Sequence, residues 1–90
     1  MEYKHYDNEI VGIVNGEVVA NVTFPTEEYG VVNVNHTFVK DEFRGMGIAK
    51  EIMMELVKNL EETKRTARLT CPYAVRWFSQ NPQYSRLVKK

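Results

Sequence analysis

The apolar residues of this chain keep one spacing up to about residue 40 and another after residue 46, and that switch limits the fold more than any other feature. Before it, Val and Ile alternate with polar residues, the period of a strand with one buried face. Glu9 to Val14 and Glu17 to Phe24 are joined by Asn15-Gly16, two residues that accept positive φ and so close a tight antiparallel hairpin. Pro25 to Gly30 breaks the run, and Val31 to Val39 resumes it with Val32, Val34, His36 and Phe38 on one face. A shorter strand is expected around Tyr3 to Tyr6. After the switch, Ile48, Ala49, Ile52, Met53, Leu56, Val57 and Leu60 make one stripe on a helix from Gly47 to about Thr63. Lys50, Glu51, Glu55, Lys58, Glu61 and Glu62 fall on its other faces. Ala67 to Cys71 reads as one more strand, and Pro72 suits the first turn of a second helix carrying Tyr73, Ala74, Trp77 and Phe78. Asn81-Pro82 stops that helix, and the tail from Arg86 to Lys90 is expected to fray.

A strand connected through a helix to another strand implies a right-handed crossover and a parallel pair. The expected class is therefore α+β, a mostly antiparallel sheet with one β-α-β crossover and two helices. Ninety residues allow a single domain, 1–90. With 43% apolar and 27% charged residues the chain belongs among folded rather than disordered sequences. Twelve Lys and Arg cancel twelve Asp and Glu, so no overall field recruits a nucleic acid or an anionic membrane. The halves differ, however: residues 1–45 hold three basic against eight acidic groups, and residues 46–90 nine against four. A local anion site is expected in or near the second half. No stretch approaches the roughly 18 apolar residues of a membrane span, and the start, Met1-Glu2-Tyr3-Lys4-His5, lacks the apolar core of a secretory signal. The lone Cys71 can neither close an internal disulfide nor build a thiolate metal cage. A reducing cytoplasm is the expected location, and no metal site is expected.

The segment Phe38-Val39-Lys40-Asp41-Glu42-Phe43-Arg44-Gly45-Met46-Gly47-Ile48-Ala49 joins the third strand to the long helix. Two glycines there let main-chain N–H groups turn toward one point, where the helix N-terminus adds partial positive charge. That makes a phosphate cradle, unless Gly45 and Gly47 only relieve a tight turn. The common nucleotide cradles are missing: there is no GxxxxGK[ST], and Lys50 stands where GxGxxG needs its third glycine.

Arg44-Gly45-Met46-Gly47-Ile48-Ala49 resembles the Arg/Gln-x-x-Gly-x-Gly/Ala signature of the GNAT acetyltransferases. Together with Asn35-His36-Thr37-Phe38-Val39, Cys71-Pro72-Tyr73 and Asn81-Pro82-Gln83-Tyr84, it makes nearly the whole chain similar to the minimal GNAT-like family. The family often has proline just after the strand valine, where this chain has Lys40-Asp41. The resemblance implies a truncated GNAT fold and an acetyl-CoA-dependent acyltransferase moving an acetyl group to an amine of a small molecule or peptide. It implies a coenzyme A pyrophosphate on the N–H groups of Arg44, Gly45, Met46, Gly47, Ile48 and Ala49, a pantetheine arm along Phe38 and Val39, and a further contact from Asn81. Full-size members carry extra N-terminal helices at the acceptor site, for which this length leaves no room, so a peptide end could reach the site. A monomer or weak dimer is expected, and a partner chain could supply the missing wall.

Cys71 precedes proline and would cap the second helix, where the dipole favours a thiolate. His36 could serve as general base. Transfer would then run directly from thioester to amine, with N–H groups near Phe38 and Val39 on the oxyanion, or through an acylated Cys71. The plainer alternatives are an inert buried cysteine, a satisfied core histidine, and Trp77 and Phe78 as core rather than a ligand stack. Lys64, Arg65 and Arg68 read as a solvated helix end or as a contact for the cofactor's ribose phosphate. The rival functions are a CoA-binding module without transferase activity and, on weaker grounds, a sheet that stacks single-stranded RNA.

Overall fold

The computed structural model describes residues 1–89. β1 (Glu2–Tyr6), β2 (Glu9–Val14), β3 (Glu17–Thr23), β4 (Thr26–Glu28), β5 (Val31–Val34) and β6 (His36–Val39) precede α1 (Ile48–Thr63), β7 (Thr66–Leu69) and α2 (Pro72–Gln80). Short 3-10 turns, Asp41–Phe43 and Pro82–Leu87, complete the chain. The class is α+β, as the alternation and the helical stripe require. Asn15 and Gly16 both have positive φ and close the β2–β3 hairpin.

The expected sheet is divided in two. β1-β2-β3-β6 form one antiparallel sheet and β4-β5-β7 another, in which β5 and β7 are the parallel pair of the crossover. The long strand expected over Val31 to Val39 breaks at Asn35, where the chain leaves one sheet for the other. Its first half, Val31 and Val32 and Val34, is buried, whereas His36 and Phe38 in the second half are exposed. The face shared by Val32, Val34, His36 and Phe38 therefore does not exist: the change of sheet reverses which residues point inward, and Thr37 and Val39 take the inner side. A short strand, β4, also appears inside the expected break at 25–30.

The core lies between the inner faces of the two sheets and the helices. Ile52, Met53, Leu56 and Leu60 of α1 are fully covered, as the stripe requires, against Ile10, Ala20, Val22, Val32 and Val34. Each large side chain so buried contributes about 1.5–3 kcal/mol before entropy is subtracted. Trp77 and Phe78 belong to this core, packed edge to face. The tail does not fray: Leu87 is buried, Val88 bridges to Ala67, and Lys89 N donates to Ala67 O at 2.8 Å. Lys90 lies outside the described residues.

One polar network crosses from β1 to α1. Asn59, 6% exposed, donates through Nδ2 to His5 Nδ1 at 3.2 Å and accepts from Arg65 on Oδ1 at 2.8 Å. Because Arg65 can only donate, the carboxamide orientation is fixed, and His5 must carry its proton on Nε2, which meets Glu55 at 2.8 Å. Arg65 also donates to Asp7 O and Thr63 Oγ1, and its guanidinium lies 5.6 Å from the Phe24 ring centroid. Among the described residues no helix is long and apolar enough to cross a membrane.

Candidate active site

The break at Asn35 creates a fork. Val34 O accepts from both Thr70 N and Cys71 N at 3.0 Å, and beyond that point β6 follows β3 while the other chain turns into α2. Lys40 N donates to Val19 O at 2.7 Å, which with the Phe38–Asn21 pair shows that β6 turns alternate main-chain groups toward β3. The groups of Phe38 are thereby committed, and those of Thr37 and Val39 face the open edge. Arg44 Nε reaches Val39 O there, at 3.4 Å.

After β6 the chain is held by Lys40, whose ammonium pairs with Glu17 and, at 3.7 Å, with Glu42. A proline at position 40 would lose the bond to Val19; Lys40 keeps it while its own φ is −59°, the value proline imposes. The turn then enters α1 through Gly45 and Gly47, at φ +82° and +79°. Gly47 caps the helix in the left-handed region with no side-chain hydrogen bond. Glu51 N to Gly47 O is the first bond of the helix's own ladder, so the N–H groups of Ile48, Ala49 and Lys50 have no partner within the helix and no side-chain cap. Sequence left open whether the glycines merely relieve a turn. Their geometry yields an uncapped arch of donors on a positive helix end.

The open edge and the arch border one cleft of about 320 Å³, lined by Thr37, Val39, Phe43, Arg44, Gly45, Gly47, Ile48, Ala49, Lys50 and Tyr73. Its walls offer main-chain donors and the cations of Arg44 and Lys50 at one end, and the Thr37 carbonyl and Val39 N–H of the strand edge at the other. Met46 is exposed and stands outside the lining. Asn81 donates through Nδ2 to Trp77 O at 2.8 Å and closes the end of α2. His36 and Phe38 sit on the opposite face of β6 from the cleft. Sequence reasoning overlooked Thr37, Phe43 and Tyr73, since a threonine on a strand and aromatics at helical or turn positions look like ordinary packing.

Cys71 is 5% exposed and caps α2 in extended conformation, as the following proline requires. Its Sγ donates to Thr37 Oγ1 at 3.5 Å. Burial pushes the thiol pKa up, but the Thr37 hydroxyl and the main-chain N–H groups of Ala74, Tyr73 and Thr37 outweigh it, and the net displacement is below the ordinary value. Tyr73 is moved the other way: burial raises its phenol pKa, only partly countered by the charge of Arg76.

The family model for the GCN5-related N-acetyl-transferase matches residues 4–87. The chain belongs to the GCN5-related N-acetyltransferase family. It is 39% identical over 51 residues to Protein NATD1 of Xenopus tropicalis, 57% of this chain and 47% of that one. To Protein NATD1 of Homo sapiens it is 36% identical over 52 residues, 58% and 46%. The match thus spans about half the length of these curated relatives. A solution structure of a GCN5-like putative N-acetyltransferase from Staphylococcus aureus superposes with TM-score 0.77 at 22% identity, over 98% of this chain and 87% of that one. A GNAT family acetyltransferase from Elizabethkingia anophelis with acetyl-CoA bound gives 0.64 at 10% identity, over 84% and 51%. These likenesses establish the fold, and the family supports acetyl-CoA-dependent acyl transfer at the general level.

Proposed function

We propose that this chain transfers an acetyl group from acetyl-CoA to an amine by way of Cys71. The observation that carries the reading is the single cleft onto which the uncapped arch and the free edge of β6 both open. Acetyl-CoA would supply an acyl group activated as a thioester. The N–H groups of Ile48, Ala49 and Lys50 would hold its diphosphate with Arg44 and Lys50, and the Thr37 carbonyl and the Val39 N–H would bond the amides of its arm. The Cys71 sulfur then bonds to the acyl carbon as the bond from that carbon to the CoA sulfur breaks. The departing thiolate takes a proton, and Tyr73, whose phenol burial makes harder to ionise, is a donor on the same cleft. An amine that has given one proton to water attacks the acyl carbon, the Cys71 thiolate is released, and the second proton shed by the new amide returns to the Tyr73 phenolate. Direct transfer with His36 as base has less support, because that imidazole lies on the far side of β6.

The test is intact-protein mass spectrometry after mixing with acetyl-CoA, with and without a panel of amines and peptides. One acetyl group on Cys71, discharged by an amine, is expected; Cys71→Ala should keep CoA binding and lose both events. Binding without acyl transfer over the whole panel would leave a CoA-binding module, and no binding at millimolar CoA would remove the reading altogether.

A further inference from the structure

Thr37 is where the two arms of the fork touch. It lies on β6, lines the cleft, and meets the sulfur of Cys71 across the gap that opens after Val34. A hydroxyl is a rotor that can accept from a thiol or donate to a thiolate. The first of these bonds is a weak S–H···O contact, whereas the second is charge-assisted and stronger. A group able to switch between them favours the ionised sulfur. It also fixes where that sulfur points, since the Cys71 main chain is pinned by Val34 O on one side and by Val75 N on the other.

Few other groups compete for this role. Tyr73 of α2 is the titratable neighbour, His36 faces away from the opposite side of β6, and Arg68 of β7 is paired with Glu27 and Glu28. Burial and hydrogen bonds act on the thiol, the Thr37 hydroxyl foremost among the latter. We infer that the Thr37 hydroxyl is a positioning residue for acyl transfer, aiming the Cys71 sulfur across the fork and donating to it once it ionises. This rests on the acyl-Cys71 reading proposed above.

Thr37→Val keeps the side-chain volume and removes the hydroxyl, and Thr37→Ser does the reverse. The thiolate is followed by its ultraviolet absorbance against pH, with Cys71→Ala as blank and circular dichroism to confirm folding. Losing the charge-assisted bond to the thiolate, less the weak contact to the thiol, should raise the midpoint by roughly half to two pH units in the valine variant, and serine should restore it. The pH at which acyl-Cys71 forms should move in parallel. A valine midpoint equal to that of the parent chain, or a serine variant no better than valine, overturns the inference. If the valine variant does not fold, Thr37→Ala against Thr37→Ser makes the same comparison. The titration needs no CoA, so a parent chain that never acylates while the midpoints behave as stated would sink the covalent route and leave the Thr37–Cys71 coupling standing.

Discussion

Replacing Gly47 by alanine separates the arch from the rest of the fold. Gly47 sits at φ +79°, ψ 11°, and a Cβ built there has no atom within 4 Å. Crowding thus costs nothing, and the penalty is the left-handed backbone alone, about 1–2 kcal/mol for an L-residue. Part is returned because alanine has fewer unfolded conformations. A net loss of about 1 kcal/mol should lower the melting temperature by roughly 4–8 °C in a chain of this size. The backbone can also relieve the strain by leaving the left-handed region, which turns the N–H groups of Ile48 to Lys50 away from their common point. Losing even one charge-assisted bond to a phosphate, worth about 1.5–3 kcal/mol, weakens CoA binding by roughly tenfold or more. Gly47→Asn is the control, because asparagine tolerates this conformation: it should keep most of the stability and most of the affinity. The assays are thermal unfolding by circular dichroism and calorimetric titration with CoA. An alanine variant as stable as the parent chain would refute the conformational argument. One that loses stability and occupies an altered turn yet binds CoA unchanged would refute the arch as the anion site.

Two further outcomes follow from the core and from the β1–α1 network. Phe24 is fully buried, so Phe24→Ala should cost about 3–5 kcal/mol, read as a collapse of the urea midpoint; a loss below about 1 kcal/mol would show that the site repacks freely. Burial pushes the Glu55 pKa up, but bonds from His5 and Lys58 pull it further down, so the folded carboxyl titrates below its ordinary range. A depressed folded pKa gives stability that is complete above the unfolded glutamate value near about 4.3 and is lost as pH falls through the folded value. Acid titration of stability should therefore be steeper below about pH 4.5 in the parent chain than in Glu55→Gln, and equal slopes would remove Glu55 from the account.

Most elements could be read from residue types because local chemistry and global packing agree over them. The α1 stripe, the Asn15-Gly16 hairpin and the Pro72 helix start each have a local cause that tertiary contacts did not overrule. The break at Asn35 had no such signal. Val32, Val34, His36 and Phe38 continue an unbroken alternation, and only the competition of two sheets for the strand's ends decides that it must stop pairing with β7 and start pairing with β3. The same event hid Thr37, whose inward direction follows from that change of partner. The glycine arch was legible because positive φ is a demand that few residues meet. Asn81, within a family motif, also makes a local bond to the end of α2 that spacing alone does not reveal. The tail was misjudged because Leu87 finds its place only after Pro82 starts a 3-10 turn.

Arg65 has a mechanical consequence. Its flat guanidinium ties the β1–β2 turn at Asp7 to the last turn of α1 at Asn59 and Thr63, while covering the ring of Phe24 from β3's end. A lysine, a compact point charge without a planar face, could not span these acceptors and cover the ring together. Three stretches distant along the chain are lashed together by one planar ion, so slack introduced at any of them reaches the other two, and a body with little interior gains stiffness from a strap on its outside.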